Sequence, residues 1–144
     1  MNRKIPLKIY GVASVGAKGQ IILPIEARED FDIKIGKIFG INSMNCIESR
    51  KNQENIAFAI YEDFKNIEYL KKIKEKKGII FMNKSEIKIG TKFQFVIPVQ
   101  IRNDLNIEPG NSLIVIGKKG QGIGFIRNDK INLLFEFIKE ELNY

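Results

Sequence analysis

Short apolar runs, cut by glycine and proline at fixed places, occur twice along this chain. Ile21-Ile22-Leu23 follows Gln20 and is closed by Pro24. Phe95-Val96-Ile97 follows Gln94 and is closed by Pro98. The two segments align over residues 16–36 and 90–110 at a constant offset of 74, without a gap. Identical pairs are Gly16/Gly90, Lys18/Lys92, Gln20/Gln94, Pro24/Pro98, Arg28/Arg102, Asp30/Asp104, Ile33/Ile107 and Gly36/Gly110. Apolar character also matches at Leu23/Ile97, Ala27/Ile101 and Phe31/Leu105. The duplication is therefore the main organising signal.

Each copy reads as the same set of elements. A strand over about 8–15, or 86–91, leads into a turn. A second strand follows at Gln20–Leu23, or Gln94–Ile97. Its nearly unbroken apolar run predicts burial on both faces. The proline fits the first turn of a helix, where no N–H is needed. The helix should span 24–31, or 98–105. Ala27/Phe31 and Ile101/Leu105 stand four apart on its inward face. Arg28 and Arg102 follow those inward positions and should point to the edge or outward. Gly36 and Gly110 mark the turn to another strand pair. In the second copy this pair is clear, at Leu113–Gly117 and Gly122–Arg127 across a glycine-rich turn.

Such a unit is too small to bury its own apolar side. It must pair with a second copy, either within the chain or between two chains. The expected domains are a first module over 1–60, a connecting helix over 61–78, a second, degenerate module over 79–128 and a C-terminal helix over 129–144. Asn55–Tyr61 reads as a strand. From Tyr61 to Lys77, Phe64, Ile67, Leu70 and Ile73 form one apolar stripe. Lys71, Lys72, Lys74, Lys76 and Lys77 crowd the end of that helix, where cations suit the dipole, and Gly78 suits the stop. A phosphate-binding surface is the other reading of these lysines. The last segment has a spine of Leu134, Ile138 and Leu142, flanked by Phe135 and Phe137, with Asn128 or Asp129 as its cap. It carries a net charge of −2 over 129–144, so it suits packing or oligomer contact better than DNA.

Charge sharpens this picture. The 144 residues carry a net charge of +7, with a pI near 9.5. That favours a polyanionic partner, although it also serves solubility. The chain has no histidine, which removes the commonest general base and every Ser-His or Cys-His pair. Its carboxylates are scattered among lysines. The expectation is a protein that is not an enzyme and needs no cofactor or metal. The single Cys46 fits a reducing cytoplasm and a buried small side chain. No apolar run has the length of a signal peptide or a membrane span, so a soluble cytoplasmic protein is expected.

The segment Ala17-Lys18-Gly19-Gln20-Ile21-Ile22-Leu23-Pro24, with Arg28 four residues on, resembles the swapped-hairpin AbrB family. SpoVT-type regulators and MazE-type antitoxins belong to that group. The turn that usually closes the motif stands here as Ile107-Glu108-Pro109-Gly110-Asn111, and as Ile33-Lys34-Ile35-Gly36-Lys37 in the first copy. The first copy, over about 7–48, matches more closely. The second, over about 85–128, carries Phe93 where glycine is usual. Two modules in one chain are similar to the MraZ architecture, which usually has aspartate where Gly16 and Gly90 stand and arginine where Gln20 and Gln94 stand.

The resemblance implies a mostly β fold with short helices. Its two modules would form an interleaved double-split barrel, and its task would be binding operator DNA as a transcriptional regulator. It implies DNA contacts from Lys18, Gln20 and Arg28, and more weakly from Lys92, Gln94 and Arg102. Lys8, with Arg3 and Lys4, could add a basic arm, or be a solvated terminus. For Lys18 the bland alternative is a solvated turn lysine. For Gln20 it is a turn hydrogen bond, and for Arg28 an ion pair with Glu29 or Asp32. Lys118, Lys119 and Gly120-Gln121-Gly122 suit a hairpin turn better than a phosphate cradle. The expected partners are double-stranded DNA and a second copy, as a homodimer or higher oligomer, or else an intrachain pseudo-dimer. An antitoxin-like module that covers a toxin partner with its C-terminal helix is the competing function.

Overall fold

The computed structural model describes residues 7–46, 55–62 and 79–132. Its elements are β1 (Lys8–Ser14), β2 (Gln20–Ile22), α1 (Ile25–Asp30), β3 (Ile38–Cys46), β4 (Asn55–Tyr61), β5 (Ile79–Lys88), β6 (Gln94–Val96), α2 (Val99–Leu105), β7 (Ser112–Lys118) and β8 (Gly122–Arg127). A short 3-10 turn, Asn128–Lys130, follows. The protein is mostly β with few short helices, as expected. The stripe 63–78 and the spine from residue 133 onward lie outside the described residues. So do Arg3, Lys4 and the Cys46 side chain.

Six strands form an antiparallel sheet in the order β1-β7-β8-β4-β3-β5, and β2 pairs with β6 in a separate two-stranded ribbon. Exchanging β1 to β4 with β5 to β8 reverses the sheet order and leaves it unchanged. The chain thus carries an internal two-fold relation. The register obeys it: Ala13 faces Leu113 and its counterpart Ile87 faces Phe39. Both outer strands also carry a register shift near the same place, between Ile9 and Gly11 in β1 and beside Met82 in β5. In the ribbon, Ile21 pairs with Phe95 at the centre. Each copy's first strand therefore pairs with the other copy, not with its own. In this structure the strands of the two copies pair with each other within the one chain. The edge strands β1 and β5 do not pair with each other among the described residues, so the six-stranded sheet does not close into a barrel by itself.

The main core lies between the sheet and the ribbon. Phe58 stacks on Phe125 at 4.7 Å between centroids, and Phe95 meets both rings edge-on. Ile21, Leu23, Ile41, Ile97, Ile101 and Leu113 are fully buried around them. Aromatic edge contacts of this kind add to the burial of the rings themselves.

Several expectations need correction. The apolar runs in β2 and β6 are buried on one face only. Ile21 and Phe95 point inward, whereas Ile22 and Val96 are more than half exposed. A two-stranded ribbon has only one layer beneath it, so alternate residues must face out. The helices begin one residue after their prolines, which hold extended cap geometry (ψ 144° at Pro24, 142° at Pro98). β5 begins at Ile79, well before residue 86, because it must span the length of β3. Tyr61 ends β4 and so does not start a helix; its ring packs over Gly40, where a side-chain carbon would meet it at 2.6 Å. Asp129 accepts from Arg127 Nη2 at 2.8 Å; the helix that Asn128 or Asp129 was expected to cap lies, from residue 133 onward, outside the described residues.

Candidate nucleic-acid interface

The two β-turns that precede β2 and β6 have the same construction. Gly19 N–H donates to Gly16 O at 3.0 Å, and Phe93 N–H donates to Gly90 O at 3.0 Å. Gly16 N–H and Gly90 N–H donate to Gln20 O and Gln94 O, both at 2.8 Å. The Gln side chains complete the turns: Gln20 Oε1 accepts from Lys18 N–H at 2.9 Å, and Gln94 Oε1 from Lys92 N–H at 2.7 Å. This folds each amide back over its glycine. A side-chain carbon at Gly16 would lie 2.4 Å from Gln20 Nε2. The repeated Gly–Gln pairs are therefore one packing unit. Gln20 and Gln94 make the turn hydrogen bond that was the alternative to base contact, and they present their amides from a fixed position.

The turns do not sit beside their own copy's arginine. Gly19 O accepts from Ile97 N–H, and Phe93 O accepts from Leu23 N–H, both at 2.9 Å. These crossed bonds bring the first turn to the start of α2 and the second turn to the start of α1. A side-chain carbon at Gly19 would fall 2.6 Å from Arg102 Cζ. At the equivalent place, Arg28 Cζ lies 4.7 Å from the centroid of the Phe93 ring. The candidate site is thus two composite half-faces. One holds Lys18, Gln20 and Arg102; the other holds Lys92, Gln94 and Arg28. Sequence grouping had placed Lys18 with Arg28, and no spacing within the chain reveals the exchange.

The arginines are half-buried at their inner ends. Arg28 Nε donates to Leu23 O at 2.7 Å, and Arg102 Nε donates to Ile97 O at 2.8 Å. These carbonyls fall where each ribbon strand ends, so a side-chain donor satisfies them. The Nη groups of both arginines have no hydrogen-bond partner among the described residues. The ion pair with Glu29 or Asp32, the alternative reading of Arg28, is not formed among the described residues; Asp32 pairs with Lys34 at 3.1 Å. Lys18 and Lys92 are exposed and make no ion pair among the described residues.

Lys8 is placed differently. It stands in β1 and pairs with Glu26 at 2.6 Å and with Asp30 at 3.1 Å. Asp30 also accepts from Tyr10 Oη at 2.9 Å. The Lys8 hydrogen bond, followed by that from Tyr10, holds the Asp30 carboxyl below the ordinary aspartate range. Burial, with the bond to Asp30, pushes Tyr10 up to about 12. Lys8 is raised by its bonds to Glu26 and Asp30. It anchors α1 to β1 rather than extending as part of a basic arm. Asp104, the counterpart of Asp30, accepts from Ser43 Oγ at 3.0 Å and ties α2 to β3.

Between the two arginines lies the outer face of the ribbon. Gln20 stands opposite Val96, and Ile22 opposite Gln94. Ile22, Val96, Ile25 and Val99 are each more than half exposed. The sequence signal for these positions was present in their offset of 74, but the unbroken apolar run concealed their outward orientation. Lys118 and Lys119 border a hairpin turn with Gly120 at φ 83°, as the turn reading expects.

Neither a family model nor a curated protein matches the chain. Among solved structures, the solution structure of PHS018 from Pyrococcus horikoshii is similar to it. The match covers 83% of this chain and 90% of that one, at 16% identity and a TM-score of 0.38. Among the described residues, no helix is long and apolar enough to cross a membrane, and no cluster of acidic or cysteine ligands is suited to a metal ion.

Proposed function

We propose that this chain is a DNA-binding transcriptional regulator built from two tandem swapped-hairpin modules of the AbrB type. The reversible strand order and the crossed turns support that finer description of the fold, including the double-split barrel. The observation that carries the function is the pair of composite half-faces. Each offers an exposed turn lysine beside an arginine whose Nη groups are unpaired among the described residues. Lysine there acts as a point charge on phosphate, while the planar arginine fork suits phosphate or the guanine edge. Ile22 and Val96 between them match apolar contact with thymine methyl groups. The net charge of +7 adds attraction without sequence information.

The test is affinity for mixed-sequence duplex DNA as a function of salt. Binding that weakens steeply as salt rises supports the reading. Absence of binding at low salt overturns it.

A second reading is a protein-interaction module of the antitoxin kind. The four exposed apolar side chains Ile22, Ile25, Val96 and Val99 favour it, since they could serve a protein partner equally well. Exchanging Ile22 and Val96 for serine separates the readings. It should leave the salt slope of DNA binding intact if DNA is the partner, and abolish capture of a purified toxin partner if protein is.

A further inference from the structure

The two half-faces share a backbone plan but not their side chains. We propose that they bind DNA unequally, with the half built from the 16–19 turn and Arg102 dominant, so that one chain reads a duplex site lacking two-fold symmetry. This rests on the DNA-binding reading above.

Two independent differences carry the inference. The first is steric. At the dominant half the turn residue is Gly19, with φ 77°, and the Arg102 guanidinium lies directly against its backbone. At the other half the turn residue is Phe93, held at φ 56° and packed against the main core. Its ring occupies the space beside Arg28 and carries the guanidinium on its face. Stacking leaves the in-plane N–H groups of Arg28 available, but it shifts their position relative to those of Arg102. Two forks on different supports present their donors differently to a two-fold symmetric pair of half-sites.

The second difference is electrostatic. On α1, two of the three exposed residues are Glu26 and Glu29, the third being Ile25. Their counterparts around Arg102 on α2 are Gln100 and Asn103. Lys8 neutralises Glu26, and its counterpart in the second copy is Met82. Glu29 has no ion-pair partner among the described residues and sits next to Arg28 in the chain. The α1 side of the Arg28 half-face therefore carries an exposed carboxylate, Glu29, where the α2 side of the Arg102 half-face carries the neutral Asn103. Like charges across an interface oppose association. The second copy, which departs further from the family pattern, supplies the better-placed cation.

The experiment compares Arg28→Ala, Arg102→Ala and Glu29→Asn in the full chain. The probe is a mixed-sequence DNA duplex about two helical turns long. Arg102→Ala should weaken binding about tenfold or more, and Arg28→Ala by less than about threefold. Glu29→Asn copies the residue of the other half at an exposed position and should tighten binding. Each arginine variant loses the same bond to a backbone carbonyl, so a thermal melt of both removes any common folding effect. The sequence motif enriched from a random duplex library should lack two-fold symmetry. Equal losses in the two arginine variants, or a palindromic enriched motif, overturn the inequality while leaving DNA binding standing. If the unmodified chain binds no duplex at all, it is the DNA-binding reading that fails.

Discussion

Arg102 lies against the backbone of Gly19, so closely that a single added carbon on the glycine would meet the guanidinium at 2.6 Å. The two residues belong to different copies of the repeat and are far apart in sequence. Their contact expresses the whole architecture: each copy's turn is completed by the other copy's helix. The reciprocal contact, Phe93 with Arg28, repeats the arrangement with a ring in place of a hydrogen.

Gly19→Ala should destabilise the protein by about 1–3 kcal/mol, because the residue is held at φ 77° and its space is occupied. Urea unfolding followed by circular dichroism measures this. A loss within error of zero would mean that the arginine moves aside at no cost.

Gln94→Ala and Gln20→Ala should each lower stability by about 1 kcal/mol, through loss of the bond to the turn N–H of Lys92 or Lys18. Glu in place of Gln keeps an acceptor and should retain most of that stability. If Gln20→Ala changes DNA affinity with no change in stability, the amide serves the ligand and not the turn.

Phe58→Ala should cost about 3–5 kcal/mol, since the ring is fully buried and stacked on Phe125 at the centre of both copies. Both copies should then unfold in one transition at a lower temperature, because they share that core. Two separate transitions in calorimetry would show that the copies fold independently.

The Lys8–Asp30–Tyr10 cluster predicts two arms in the dependence of stability on pH. Asp30 is depressed in the fold, so its contribution is present above the ordinary aspartate value of about 3.8 and is lost as pH falls through its lowered one. Tyr10 is raised, so its contribution is present below the ordinary tyrosine value of about 10 and is lost as pH rises towards 12. Thermal melts across pH should show both declines, and Asp30→Asn should flatten the acid arm. An unchanged acid arm in that variant would assign it to other carboxylates.

Much of the fold was legible because the repeat places punctuation at matched positions. Gly36 and Gly110 adopt φ 88° and 89°, the left-handed turn that glycine favours. The strand Asn55–Tyr61 and the hairpin across Gly120 follow from composition and turn chemistry. What could not be read was which copy supplies which partner. Periodicity fixes the inward face of a segment, but pairing between segments is a tertiary choice. Lys18 and Arg28 share a module in the chain yet separate onto different half-faces. The outward turn of Ile22 and Val96 was hidden for a related reason: an unbroken apolar run does not say how many layers will cover it. The charge of Lys8 and its place near the chain's start suit a basic arm, but its carboxylate partners Glu26 and Asp30 come within reach only when α1 packs on β1.

The most direct measurement is a pair of double-mutant cycles in folding stability, combining Gly19→Ala first with Arg102→Ala and then with Arg28→Ala. Residues in contact couple by about 0.5–3 kcal/mol, whereas distant ones add to within about 0.5 kcal/mol. Interleaved copies require Gly19 to couple with Arg102 and to be additive with Arg28. The opposite result, coupling of Gly19 to Arg28 alone, would mean that each copy closes on itself and would remove the composite half-faces.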